Sequence, residues 1–175
     1  MIFVIENYIN MLNRADAKKI EIMPDRKAGI RGGGEMKLDQ FIGKNQLSVI
    51  KSACKGEESE YFMKMVRSLI TQIETMPKTY ETDGQGDNVI ATLHYFNGGS
   101  DWYIIEKDAG SSDDEIQGIQ QQAFGFVCLN GDTDNAELGY ISIQELIENG
   151  VELDLYYKPE TLKIIKSKFF KEVRR

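Results

Sequence analysis

Apolar residues recur along this chain at two spacings, and the switch between them divides it. Ile2, Ile5, Ile9 and Leu12 lie three or four apart, which predicts a short amphipathic helix over 2–12. Residues 24–36 follow, with Gly32-Gly33-Gly34 at their centre. Three glycines in a row lose too much backbone entropy to sit inside a helix or strand, so this stretch reads as a linker and 1–35 as an appendage. The helical spacing returns from Lys44 to Met76. Leu47, Ile50 and Cys54 mark one helix, Lys55-Gly56 its end through a left-handed glycine cap, and Phe62, Met65, Val66, Leu69, Ile70 and Ile73 the stripe of a second that Pro77 closes.

Beyond the polar stretch 81–87 the period becomes that of strands. Val89–Phe96 is rich in β-branched and aromatic residues, and Asn97-Gly98-Gly99-Ser100 has hairpin-turn composition. A four-residue turn there sets Phe96 opposite Asp101, Tyr95 opposite Trp102 and His94 opposite Tyr103. The return strand runs 101–108, a loop 109–119, a third strand 123–129, a turn 130–135 and a fourth strand 137–141. Ser142 and Glu145 form a capping box for a short helix that Gly150 stops. A fifth strand over 151–157 and a helix over 160–171, with Pro159 ahead of its first turn, complete the order. The expectation is an α+β fold: N-terminal helices, then an antiparallel β-meander with C-terminal helices packed on it. Its parts are 1–35, a helical segment 36–80, and an acidic α+β domain 81–175.

Composition adds limits. With 175 residues, 41% hydrophobic and 28% charged, the chain folds without staples. No run of eighteen apolar residues offers a membrane span. The start lacks the basic and small-residue pattern of a signal peptide, and two cysteines, Cys54 and Cys128, lack redox or zinc spacing. A reduced, cytoplasmic protein is expected. The net charge of −7 hides a block structure: residues 81–160 hold seventeen acids against Lys107 and Lys158, a net of −15, whereas 161–175 carry +5. A field of that sign repels phosphate backbones and attracts cationic partners. Acidic loops also keep a protein soluble, and charge alone leaves both readings open.

Candidate chemistry is sparse. His94 is the sole histidine, so a two-histidine metal site needs a second chain. In the expected register it shares a face with Tyr103 and Ile105, away from Glu106 and Asp108; a slip of one residue reverses that. Glu106 and Asp108 continue the face of Trp102 and Ile104, and Glu137 approaches from the fourth strand. Three carboxylates at one edge would hold Mg²⁺ or Ca²⁺ or supply an acid/base pair; alternatively each accepts backbone amides at a strand end. Asp132-Thr133-Asp134-Asn135 lacks the glycine and final glutamate of an EF-hand and reads as an Asx turn. No phosphate loop or serine-hydrolase elbow is present. No cofactor or metal is expected.

Trp102, Glu106, Asp108, Phe124-Gly125, Glu137-Leu138-Gly139-Tyr140-Ile141-Ser142 and Thr161-Leu162 stand in an order that resembles domain-of-unknown-function family twenty-nine fifty-eight, over about Val89 to Leu162. Residues Gln46 to Asp87 are similar to the version carried on conjugative and phage-like elements of gut Firmicutes. The resemblance implies a protein of plasmids, phages or integrative elements, a family for which no activity is established. The loop 109–121 and the insert Gly131–Asn135 are longer than that pattern.

Two functions follow as expectations. The first is a non-enzymatic binding protein of a mobile element, an inhibitor in the manner of an anti-CRISPR, that presents Asp101, Asp108, Asp113, Asp114, Glu115, Asp132 and Asp134 to a basic protein surface such as a nucleic-acid-binding groove. Direct nucleic-acid binding is expected only through the basic C-terminal helix. Trp102, Phe124, Gly125, Leu138, Gly139, Tyr140, Ser142 and Glu145 then maintain the fold, with Gly139 allowing a bulge or a close approach. The second is a metal-dependent hydrolase using Glu106, Asp108 and Glu137, or else a subunit of a conjugation or replication assembly.

Overall fold

A computed structural model of the chain describes residues 38–110 and 119–170. The helix expected over 2–12 and the glycine linker lie outside the described residues.

A 3₁₀ turn, Leu38–Gln40, leads into helix α1, Lys44–Ala53, and helix α2, Ser59–Thr75. Both are amphipathic and bury the stripes their sequences carry, Leu47 and Ile50 on α1, Leu69 and Ile73 on α2. The break between them is not a left-handed glycine cap. Cys54 caps α1 in a right-handed conformation, and tightened bonds from Lys55 and Gly56 to Ser52 and Ala53 end the helix, so no positive φ is needed. At the far end of α2 the Lys107 ammonium donates to the carbonyls of Ile73 and Glu74 at 2.7 and 2.9 Å, completing a helix terminus whose dipole favours a cation.

The main sheet holds β2 (Leu93–Asn97), β3 (Ser100–Glu106), β4 (Ala123–Cys128), β5 (Glu137–Ile141) and β6 (Glu152–Leu153), in the order β5-β4-β3-β2-β6. All its pairings are antiparallel. The β2–β3 hairpin has the predicted register, His94 opposite Tyr103 and Phe96 opposite Asp101. Gly98 supplies the positive φ, +59°, that its tight turn requires. Helix α3, Ile143–Glu148, follows β5; Ser142 caps it by accepting the Glu145 amide at 3.1 Å, and Gly150 at φ +75° stops it as expected.

Strand lengths depart from the sequence pattern where distant pairing decides them. The stretch expected as one strand, 89–96, is cut at Thr92. Ile90–Ala91 forms β1 and pairs with β7, Glu160–Thr161, which the helical pattern had assigned to the last helix. The final helix, α4, therefore spans Leu162–Phe170. The fifth strand shrinks to the two residues of β6, because Asp154 turns the chain by accepting the Tyr156 amide.

Each face of the sheet buries its own cluster. On one, Leu93, Tyr95, Ile104, Ala123, Ile141 and Leu153 pack against α1, α2 and α3, so the helical segment and the sheet share one core. There the Tyr95 hydroxyl donates to the Phe41 carbonyl at 2.7 Å, and full burial pushes its phenol well above its ordinary pKa. On the other face Tyr103, Ile105 and Phe126 pack with Ala91, Leu162 and Ile165 from the β1–β7 ribbon and α4. Gly125 is indispensable between the layers: a Cβ there would lie 2.1 Å from the Tyr103 carbonyl oxygen. Its cross-strand partner Gly139 is different, as β5 runs in regular register without a bulge and a Cβ at 139 would meet nothing within 4 Å.

Candidate functional site

The three catalytic candidates do not converge. A bulge between Ile104 and Glu106 shifts the register so that Glu106 faces Phe124, on the opposite side from Trp102 and Ile104. Glu106 is 3% exposed and fully engaged: it accepts the Tyr80 amide at 2.8 Å, the Thr82 amide at 2.7 Å and the Thr82 hydroxyl at 2.6 Å. Asp108 accepts the amides of Gly110, Gln121 and Gln122. Both acids thus close strand-end loops. Glu137 lies three pairs further along β4, opposite Val127. Among the described residues no three His, Cys, Asp or Glu side chains gather as metal ligands.

The predicted binding acids also separate. Asp113, Asp114 and Glu115 lie outside the described residues. Asp132 closes its turn by accepting the Asn135 amide and side chain, the Asx turn read from the sequence, and those bonds lower its carboxyl pKa. Asp134 is exposed beside it. Asp101 is turned to structure: His94 Nε2 lies 2.8 Å from its Oδ1, while Nδ1 lies 3.3 Å from Oδ2 of Asp154. The imidazole stacks on Tyr103 with centroids 4.4 Å apart. His94 bonds neither Glu106 nor Asp108, but not for the expected reason: the bulge moves Glu106 off the Trp102 face and onto that of His94 and Tyr103, where the Tyr80 and Thr82 donors hold it. The actual partners of His94 are a diagonal neighbour across the hairpin and a residue sixty positions away. The basic helix α4 is partly neutralised, Lys166 pairing with Asp87 at 2.7 Å and Lys168 with Glu160.

What the fold does assemble is a cleft of about 330 Å³ on the helical face beside β5. Trp102 and Val127 line it from the sheet, Leu129 and Asn135 from the β4–β5 loop, Glu137 and Gly139 from β5, and Glu145 and Leu146 from α3. Glu137 and Glu145 are both exposed, and neither takes part in an ion pair among the described residues. Among the described residues no lysine or arginine lines the cleft. Two exposed carboxylates beside a half-buried indole can accept hydrogen bonds from a planar cation stacked on the ring.

On the opposite side of β5 lies an exposed aromatic group. Tyr140 is 60% exposed and meets Phe124 edge-on at 5.7 Å; its hydroxyl donates to that of Tyr80, 3.0 Å away. Tyr80, 64% exposed, adopts φ +76°, a conformation that disfavours a residue with a Cβ. The Glu106 carboxylate holds it there. A second cleft, about 400 Å³ between α2 and residues 154–158, is lined by Tyr61, Lys64, Gln72, Asp154 and Lys158, and its mixed charge selects no ligand class.

Sequence reasoning placed Trp102, Gly139 and Glu145 in fold maintenance and missed that they share a cleft with Glu137. The signal was available: Glu137, Gly139 and Ile141 alternate on one strand face and Glu145 lies one helical turn into α3. Comparison with family models, with curated proteins and with solved structures finds no match for this chain.

Proposed function

We propose that this chain is a non-catalytic binding protein of a mobile genetic element, whose acidic surface engages a basic protein surface such as the nucleic-acid-binding groove of a host defence nuclease. The observation that carries the reading is the cleft in which Glu137 and Glu145 flank Trp102 without a counter-ion among the described residues. Carboxylates left unneutralised beside a half-buried indole favour a cationic guest and speed its association. The acids proposed for hydrolysis offer less support, since Glu106 and Asp108 are committed to backbone amides. The mobile-element setting rests on the resemblance of residues 89–162.

The test is capture on the immobilised full chain from cells bearing the parent element, followed by titration of the captured protein against ionic strength. The expected partner is a basic nucleic-acid-binding protein whose affinity falls at least about tenfold between roughly 0.1 and 1 M salt, and which releases its nucleic acid on binding. Salt-independent affinity, or a ternary complex that keeps the nucleic acid, overturns the reading.

A further inference from the structure

Resting on that reading of an acidic binding surface, we propose that the open edge of β5 is the docking site, and that its occupant is an extended segment of the partner in which arginine alternates with apolar residues. The segment pairs with the backbone of Glu137–Ile141, its arginines enter the Trp102 cleft and its apolar side chains cover Leu138, Tyr140 and Tyr80.

The edge itself is the first argument. Among the described residues the sheet ends at β5, which is hydrogen-bonded to β4 alone. Folded proteins blunt such edges with charged side chains, lysine above all, with proline, a bulge, a very short strand or a covering loop; of the residues in β5 only Glu137, at its start, is charged. β5 has five residues in unbroken register, with neither lysine nor proline. Its backbone groups are therefore a template for one more strand.

The two sides of β5 then specify the guest. Side chains alternate along an added strand as they do along β5, so successive residues fall on opposite faces, about 5 Å from their cross-strand neighbours. On one face the neighbours are Glu137 and Gly139, with Glu145 and Trp102 behind them. Gly139 carries no side chain, and a Cβ there would meet nothing within 4 Å, so β5 leaves the cleft open at that position. A guanidinium suits that space better than an ammonium, since it stacks flat on an aromatic ring and still presents a fork of donors to a carboxylate. On the other face the neighbours are Leu138, 42% exposed, and Tyr140 with Tyr80 against it. That surface rewards apolar side chains. The strained Tyr80 backbone, fastened by the buried Glu106, holds one ring of this surface in place.

Charge argues against a second copy of this chain as occupant, since pairing two β5 edges would bring four unneutralised glutamates together.

The probe is a short synthetic peptide alternating arginine and valine, blocked at both ends, titrated into the full chain by calorimetry and by amide resonance shifts. Binding is expected with shifts centred on 137–141. Replacing arginine by lysine, or using E137Q/E145Q, weakens it at least about tenfold, because charge-assisted bonds in the cleft are lost or impaired. N-methylation of all the peptide amides abolishes it, since an edge-pairing guest must donate backbone bonds whichever of its two edges faces β5. G139V, which fills the cleft from an open position, weakens binding while leaving the melting temperature within a few degrees of the natural chain. Equal affinity for the N-methylated peptide, unchanged binding to both variants, or a dimer of the free chain in sedimentation overturns the proposal. If a salt-sensitive basic partner holds E137Q/E145Q as tightly as the natural chain, the edge site is wrong and the acidic-surface reading stands elsewhere on the molecule. If the peptide binds as described but no salt-sensitive partner exists, the edge site stands and that reading falls.

Discussion

The Tyr80 amide, in a backbone held at φ +76°, donates to the carboxylate of Glu106 at 2.8 Å. Glu106 also receives two donors from Thr82, so one buried acid both satisfies a loop and fixes an unfavourable conformation. A glutamine in its place has one acceptor oxygen and turns its amide protons toward a donor. E106Q should therefore lose about 2 kcal/mol of stability, the cost of leaving a buried donor without a partner. Urea denaturation measures it; a loss below about 0.5 kcal/mol, the range of ordinary surface changes, would mean that the loop keeps its conformation without the carboxylate.

Two glycines that face each other across β4 and β5 should respond in opposite directions. At Gly125 an added methyl runs into a backbone oxygen, which cannot rotate away. G125A is expected to cost about 3 kcal/mol or more through strain in the β3–β4 ladder. At Gly139 the methyl enters open space on an extended backbone, and G139A should be neutral or stabilise by up to about 1 kcal/mol by restricting the unfolded chain. Parallel thermal melts of the two variants decide this; similar losses in both would contradict the geometry.

Alkaline sensitivity follows from the aromatic layer under α4. Burial pushes the Tyr103 phenol up to about 12, with Asp101, Glu160 and Asp154 adding to the effect. Tyr157 shifts in the same direction, again chiefly through burial. A phenol whose folded pKa exceeds its unfolded value of about 10 keeps its full contribution below that pH and loses it as pH rises toward the folded value. Stability should therefore fall between about pH 10 and 12, because the unfolded chain releases these protons first. Y103F removes one such group, so its denaturation midpoint should decline less steeply over that window. Superimposable profiles for Y103F and the natural chain would rule out Tyr103 as a contributor.

Much of the fold was legible because local rules and tertiary packing agree. The helical stripes 47–50 and 69–73 are buried as their spacing demands, and the Gly98-Gly99 turn fixes the β2–β3 register by local geometry alone. The bulge at Ile105 left no mark, since Ile-Ile-Glu continues an ordinary strand pattern; it turns Glu106 toward the Tyr80 and Thr82 amides, which come from a segment 24 to 26 positions earlier. β1 and β7 are equally hidden. Two-residue strands draw their stability from a partner seventy positions away, and no local propensity encodes that. The cleft fell between these cases. Each of its residues had a local explanation, Glu145 as a cap partner and Gly139 as a backbone device, and only the return of α3 over the sheet sets them beside Trp102.

His94 supplies the last test, because it links strands by side chain and backbone at once. Its carbonyl accepts the Asp154 amide at 2.8 Å, while its ring lies between the carboxylates of Asp154 and Asp101. Asp154 in turn accepts the Tyr156 amide, so the turn that ends β6 depends on an acid oriented by the imidazole. β6 pairs with β2 over only two residues, and Gln46 brackets Leu153 from α1 by accepting its amide and donating to its carbonyl. With so few backbone bonds, loss of the ring should free this edge locally before it unfolds the domain. H94A should lower global stability by about 1–3 kcal/mol, from the lost stacking and hydrogen bonds. It should also accelerate exchange of the Asp154 and Tyr156 amides at least about tenfold beyond what the global loss accounts for. Replacing the ring with glutamine, which can still donate to one carboxylate, should recover part of the protection. If exchange at Asp154 and Tyr156 rises only in step with that of the central strand β3, His94 stabilises the sheet as a whole and does not fasten its edge.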